Sequence, residues 1–303
     1  MTLGPYPINY DASLGEDFSE YEFDPQGIPL TRFERRADWQ HNPITVCQYG
    51  LHHFNRYWWH QDVRSRETFL TQANWLVQNA EAGPGDSTVW YYRISVPLYR
   101  ITPPWISGMA QGEVLSVLLR AHQMTTDPSF LDTAHGAFKI FHLSVQQGGV
   151  ISNFPDGRPI IEEYPSPTMM TGVLNGFIFA CLGIYDYALY LDDCQARELF
   201  SRMMDSLKAN IHRYDSGFWS YYDQHSSHRL ASRAYHRLHI EQLKCLAELT
   251  GEPIFRDFER RWRRYHDSKR CHLRWVLGKI RQKWLTEFGS LFPRLKGQFT
   301  ESR

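Results

Sequence analysis

Leu119–Phe138 reads LRAHQMTTDPSFLDTAHGAF, and Leu243–Trp262 reads LKCLAELTGEPIFRDFERRW. Both pass from a helix-forming run through Thr-x-Asp/Glu-Pro-x-Phe into a second helix-forming run. Pro128 and Pro253 sit where a missing N–H costs nothing, in the first turn of the second helix, and Asp127 or Glu252 beside them suits its positive end. Thr171–Leu191 followed by Asp193–Leu207 repeats the plan, with Asp192 and Asp193 as cap candidates. The repeat is about 60 residues long and each unit is an antiparallel helical hairpin. Such hairpins cannot bury their inner faces alone and must stack on neighbours. The expected fold is mainly α: an (α/α) toroid or barrel, with a four-helix bundle carrying extensions as its rival.

Outward from these hairpins, Phe69, Ala73, Leu76 and Val77 give amphipathic helical spacing from about Glu67. Further helices are expected over 107–125, 129–146, 170–190, 194–210, 231–250 and 253–266. Residues 1–65, rich in Pro, Gly and aromatics, read as an irregular or β-hairpin segment packed on a 66–267 barrel. The 268–303 tail reads as a basic amphipathic helix, with Leu273, Val276, Leu277, Ile280 and Trp284 on one stripe among Arg274, Lys279, Arg281 and Lys283. That stripe either closes over the core or lies on an anionic membrane surface.

Lys plus Arg equal Asp plus Glu at 33 each, so no global field favours nucleic acid. The charge is nevertheless uneven. Asp11, Glu16, Asp17, Glu20, Glu22 and Asp24 open the chain without a basic residue, whereas 14 Lys or Arg face 5 Asp or Glu from Arg256 onward. Ten Trp, 17 Tyr and 18 Phe suit either an aromatic core or a sugar-binding groove. Cys47, Cys181, Cys194, Cys245 and Cys271 form no CxxC pair, which fits reduced thiols, and Met1–Gly15 shows no secretory pattern. A cytoplasmic protein, peripheral at the membrane if the tail docks there, is expected. The apolar stretch Val173–Ile184 is too short for a span. HExxH, GxGxxG, GxxxxGK[ST] and GxSxG do not occur, so neither a metal, a nucleotide cofactor nor a serine nucleophile is expected.

Three segments hold candidate chemistry. Glu162-Glu163-Tyr164-Pro165-Ser166-Pro167 forms a stiff loop before the helix carrying Asn175, because proline keeps its predecessor extended. In an extended segment Glu162 and Tyr164 point one way and Glu163 the other. Tyr214–Asp223 places a DSG turn in an aromatic run that either plugs the core or lines a groove. Arg233–His239 opens a helix with Tyr235, Leu238 and His239 on one face. Taken singly, the first segment reads as a solvated surface loop and the third as a hydrogen-bonded core His–Tyr pair.

Together they resemble the glucuronyl C5-epimerase family, which acts on heparosan-type glycosaminoglycan precursors. The matching stretches are CQYGLHHF at 47–54, ISGMAQGEVLSVLLRAH at 106–122, EEYP at 162–165, VLNGFIFACLGIYDY at 173–187, SYYD at 220–223 and AYHRLHIEQL at 234–243. The resemblance implies an (α/α) barrel whose catalytic residues are Glu163, Tyr164, Tyr222 and Tyr235. It also implies substrate contacts from Asn175, His225, Arg233, Trp105 and Gln111, an acidic polysaccharide as substrate, and, from the animal members, a homodimer. Conversion of D-glucuronate to L-iduronate is the activity implied; a polysaccharide lyase and a non-catalytic glycan-binding protein are the alternatives.

Two departures from the family pattern appear. The long β-rich region of the animal members is missing, since about fifteen residues separate Tyr57 from the helix near Ala73. The family's YDLRH is Tyr222-Asp223-Gln224-His225-Ser226, so His225 occupies the place of an arginine.

Overall fold

The computed structural model describes residues 1–10, 18–33 and 38–288; Asp11, Glu16 and Asp17 of the acidic opening and the tail from 289 to 303 lie outside them. Among the described residues the helices are α1 (Pro43–His60), α2 (Val63–Gln78), α3 (Gly108–Thr125), α4 (Pro128–Phe138), α5 (Leu174–Leu191), α6 (Cys194–Asn210), α7 (Arg233–Thr250), α8 (Pro253–Asp267) and α9 (Lys269–Phe288). The β-structure described consists of short antiparallel pairings. Two compact units make up the chain, Met1–Ile211 and His212–Arg303, and the division falls within the 66–267 span.

The hairpins share one joint. In the first unit a left-handed residue ends one helix and an aspartate caps the next: Gln61 (φ 53°) then Asp62, Thr126 (φ 61°) then Asp127, Asp192 (φ 56°) then Asp193. The three carboxylates accept from the backbone N–H of Arg64, Ser129 and Ala196. Such a cap stabilises a helix by about 1 kcal/mol, and a two-residue reversal leaves the two helices antiparallel. In the second unit Gly251 (φ 71°) and Glu252 join α7 to α8, although Glu252 makes no side-chain cap bond.

The structure corrects several expectations. Residues 1–65 are not wholly irregular: Pro43–His60 form α1, capped by Asn42 with Pro43 in its first turn, and α1 pairs with α2 as a further hairpin. The helix expected over 129–146 ends at Phe138 and gives way to tight 3-10 turns, the Ala137 carbonyl being taken by the Gln111 side chain. Residues 170–173 are not helical: Gly172 is left-handed (φ 59°), and the backbone N–H groups of Thr171 and Gly172 bind Glu162.

In the first unit α3 and α5 form the core and pack on each other most extensively, while α1 also packs on α3. They approach backbone to backbone: a Cβ on Gly183 would collide with the Gly112 carbonyl, and one on Gly112 with Ala180. Across this contact Asp186 binds Arg120 and Ser116, with Ser116 Oγ at 2.6 Å. Arg120 further donates to the carbonyls of Gly4 and Ser116. A buried pair of this kind survives only with its remaining hydrogen bonds made, as here. Helix α5 has the length and hydropathy of a membrane span, but it is 78% buried within the protein and serves as a core helix.

In the second unit Gly217 (φ 80°) turns the DSG segment, which closes through the Asp215–Ser220 bridge. Trp219 is buried there, stacked on His236 at 3.9 Å. Helix α9 docks through Trp275, Gly278, Lys279 and Gln282 against the 228–231 stretch. Of the two readings of its apolar stripe, closure over the core is not met: the stripe is exposed, from 38% at Val276 to 63% at Trp284.

Candidate active site

The loop carrying Glu163 and Tyr164 is anchored at both ends within the first unit. It leaves strand Pro159–Ile161, paired with Ile151–Asn153, and enters α5. Glu162 is wholly buried and accepts from Ser152 Oγ (2.6 Å), Thr171 N (3.1 Å), Thr171 Oγ1 (2.5 Å) and Gly172 N (2.8 Å). Burial pushes its carboxyl pKa up, while these hydrogen bonds pull the other way. Glu162 therefore staples the loop.

Its neighbour Glu163, 4% exposed, faces α5, where a Cβ on Gly176 would occupy the space of its Oε2. The absent side chain at Gly176 makes room for the carboxylate. Asn175, one residue earlier, is also buried and lies 3.8 Å from the Met109 sulfur through its Nδ2.

Tyr164 joins an aromatic wall. Its ring centroid lies 5.0 Å from Tyr99 and 5.3 Å from Trp105, and Trp105 stacks on Tyr92 at 4.5 Å and 17°. Trp105 also donates Nε1–H to the Ile94 carbonyl, which fixes its plane. Arg100, Trp105, Ile106, Pro165 and Pro167 line a cavity of about 480 Å³ beside the loop. An aromatic face with one cation at a concave surface suits a sugar ring bearing a carboxylate. Glu113 of α3 is wholly buried with Gln48 Nε2 at 3.0 Å; burial raises its pKa well above the carboxylate range, and the charge of Glu163 adds to the effect. Burial likewise raises Tyr92, with smaller contributions from Cys47, Glu113 and Glu163.

The second unit brings Tyr222 and Tyr235 together. Their rings meet edge to face at 4.8 Å and 65°. The Tyr222 N–H donates to the Arg229 carbonyl (2.7 Å), and the Arg229 guanidinium lies 4.9 Å from the Tyr222 centroid. Asp223, 2% exposed, holds Arg229 Nε at 2.9 Å. Tyr235 lies in the first turn of α7, its N–H capped by Ser232, and is 40% exposed. His225 is tied into the same loop: its backbone N–H donates to Asp223 Oδ1 (3.3 Å), and its Nδ1 lies 2.7 Å from Ser227 Oγ. Lys279 of α9 donates to the Leu230 carbonyl; burial, and then the neighbouring Arg229 charge, lower its pKa.

Three sequence-based expectations need adjustment. Gln111 is wholly buried, and its amide is committed to the scaffold: Oε1 accepts from Trp90 N, and Nε2 donates to the carbonyls of Thr88 and Ala137. These bonds tie three backbone segments together. Arg233 lies 5.1 Å over the Trp275 ring, on α9. Tyr235 and His239 do not form a core pair: His239 is buried and lies with His236 around the Ser220 hydroxyl (2.9 and 2.8 Å). Tyr92, Tyr99, Glu113 and Asp223 escaped the sequence reading. Glu113 did leave a signal, as the lone carboxylate of α3. Tyr99 lies in a three-residue 3-10 turn with no periodicity to mark it.

Known proteins share both sequence and fold with this chain. The D-glucuronyl C5-epimerase of Caenorhabditis elegans is 33% identical over 220 residues, covering 67% of this chain and 35% of the worm protein. An uncharacterized protein of Methanocaldococcus jannaschii is 32% identical over 185 residues, 58% of this chain and 57% of its own. The chain thus spans roughly one third to just over half of these relatives' lengths. Among solved structures, the unsaturated glucuronyl hydrolase of Bacillus sp. GL1 superposes with a TM-score of 0.51 at 17% identity, over 74% of this chain and 62% of that one. The GH76 alpha-mannanase BT2949 of Bacteroides thetaiotaomicron gives 0.50 at 9% identity, over 77% of this chain and 58% of that one. These likenesses show the fold, mainly helical and of the (α/α) toroid class. A family profile described as the D-glucuronyl C5-epimerase C-terminus spans residues 84–264, from before α3 to near the end of α8 and across every candidate side chain named above, so the chain belongs to the D-glucuronyl C5-epimerase family.

Proposed function

We propose that this chain inverts carbon 5 of D-glucuronate units within a polysaccharide, giving L-iduronate. The C5–H bond breaks, its electron pair delocalises into the adjacent carboxylate, and a proton returns to C5 from the opposite face. Two proton-transfer groups are needed, together with fixed positive charge or donors for the extra negative charge. By the family resemblance Glu163 and Tyr235 are assigned the proton-transfer roles, and Tyr164 and Tyr222 those of placing the ring or relaying protons. Arg229, His225 and Asn175 stabilise the charged intermediate.

The observation carrying the proposal is the edge-to-face Tyr222–Tyr235 pair beneath a guanidinium that Asp223 holds in place. Tyr222 thus has a fixed cation over its ring, and Tyr235 meets that ring edge-on while 40% exposed. Heparosan-type chains are the proposed substrate.

The protein is incubated in heavy water with a panel of glucuronate polymers and read by NMR. Deuterium at C5 together with iduronate signals is expected, and Tyr235→Phe should abolish both. Retained exchange in that variant removes Tyr235 from the mechanism. An unsaturated product absorbing in the ultraviolet would mark a lyase instead, and tight glycan binding without exchange would leave a binding protein.

A further inference from the structure

We propose that the outward face of α9 is a docking surface for an anionic membrane. The helix is amphipathic in an inverted sense. At 100° per residue, Trp275, Gly278, Lys279 and Gln282 cluster on the arc that docks on the second unit. The opposite arc carries Leu273, Val276, Leu277, Ile280 and Trp284, exposed by 62%, 38%, 58%, 54% and 63%. The Trp275 indole, packed on Trp219, together with Lys279 and Gln282 holds the helix to the protein, while its aliphatic side chains and the Trp284 indole face solvent. A helix recruited only to complete the core would bury that arc.

Charge decides the occupant. Arg270, Arg274 and Arg281 border one edge of the apolar arc and Lys283 the other, while Lys269 lies at its N-terminal end; Glu287 is the one acidic residue of α9. A second copy of this chain meeting the face symmetrically would set these cations against their own equivalents with only Glu287 on each α9 to offset them. A soluble polyanion would engage the cations and leave the apolar arc wet. A bilayer of anionic lipid satisfies both: its headgroups meet the Lys and Arg rims, its acyl boundary takes the Leu, Val and Ile side chains, and Trp284 suits the interface between them. This surface is separate from the candidate active-site side chains, so the inference does not depend on the proposed reaction.

The full chain is sedimented with vesicles of phosphatidylcholine alone and with vesicles containing about one quarter phosphatidylglycerol. Binding to the anionic vesicles only is expected, weakening as salt screens the cations. Leu277→Glu combined with Ile280→Glu should lower that binding about tenfold or more, with circular dichroism and melting temperature unchanged, since both side chains are already in solvent. Arg270→Gln combined with Arg281→Gln should weaken anionic binding while leaving the apolar arc intact. Three outcomes would overturn the proposal: no vesicle binding at all, equal binding by the Leu277/Ile280 double variant, or a concentration-dependent dimer that this double variant makes monomeric.

Discussion

Acid should loosen the second unit through two buried histidines, and the size of the effect follows from their surroundings. His236 is wholly buried, with Nε2 3.1 Å from the Trp262 carbonyl and Nδ1 3.2 Å from the Ser220 N–H. The ring is therefore neutral, donating to Trp262 and accepting from Ser220, and a second proton would set Nδ1–H against an N–H. Burial, reinforced by the nearby His266 and His272, lowers its pKa from 6.5 to about 3. Burial also lowers His239 well below its usual value.

The unfolded chain takes up protons as pH falls below about 6.5, whereas folded His236 does not until about 3. Stability from each ring is therefore complete above the unfolded pKa and is lost as pH falls through that window. Between pH 7 and pH 5 the loss is about 2 kcal/mol for His236, and His239 adds to it in the same direction. Glu113 and Glu162, whose pKa values burial raises, act in the opposite sense. The diagnostic is therefore the difference between proteins rather than one curve. Urea unfolding at pH 7, 6 and 5, followed by tryptophan fluorescence, measures it. His236→Gln should flatten the pH dependence by about 2 kcal/mol across that range, and His239→Gln should flatten it in the same direction. Slopes indistinguishable from that of the parent chain would refute the reasoning.

Other perturbations have equally direct readouts. Asp186→Ala strips a buried guanidinium of its carboxylate and should cost about 3–5 kcal/mol in urea unfolding; a loss under about 1 kcal/mol would mean that Arg120 finds other compensation. Gly183→Ala drives a methyl group into the Gly112 carbonyl and should destabilise by about 3 kcal/mol through separation of α3 and α5. Gly176→Ala displaces the Glu163 carboxylate and should cut C5 exchange about a hundredfold with a far smaller effect on melting temperature. Gln111→Leu leaves the Trp90 N–H and the Thr88 and Ala137 carbonyls without their partner; a stability loss of about 2–3 kcal/mol with unchanged KM distinguishes a scaffold tie from a sugar ligand.

Much of the fold was legible because the hairpin joint is local. A left-handed residue followed by Asp or Glu, often with proline next, encodes a chain reversal within two positions, and Asp127-Pro128 and Glu252-Pro253 displayed it openly. The same grammar was present at Asn42-Pro43 and at Gln61-Asp62, but the aromatic and polar residues between them concealed α1. The candidate residues lay in short motifs readable in order along the chain. Their individual duties were not readable, because duty depends on what lies opposite.

Sequence by itself therefore determined the helical hairpins, their antiparallel sense and the short segments holding the acidic and phenolic groups, since backbone propensity and capping act over a few residues. Tertiary structure alone decided that Glu162 is a staple while Glu163 faces Gly176, and that Gln111 braces the scaffold. It also decided that the apolar stripe of α9 turns outward. In each case periodicity assigns a side chain to a face, but only the packed neighbours, through burial and the hydrogen bonds they offer, determine what that face meets.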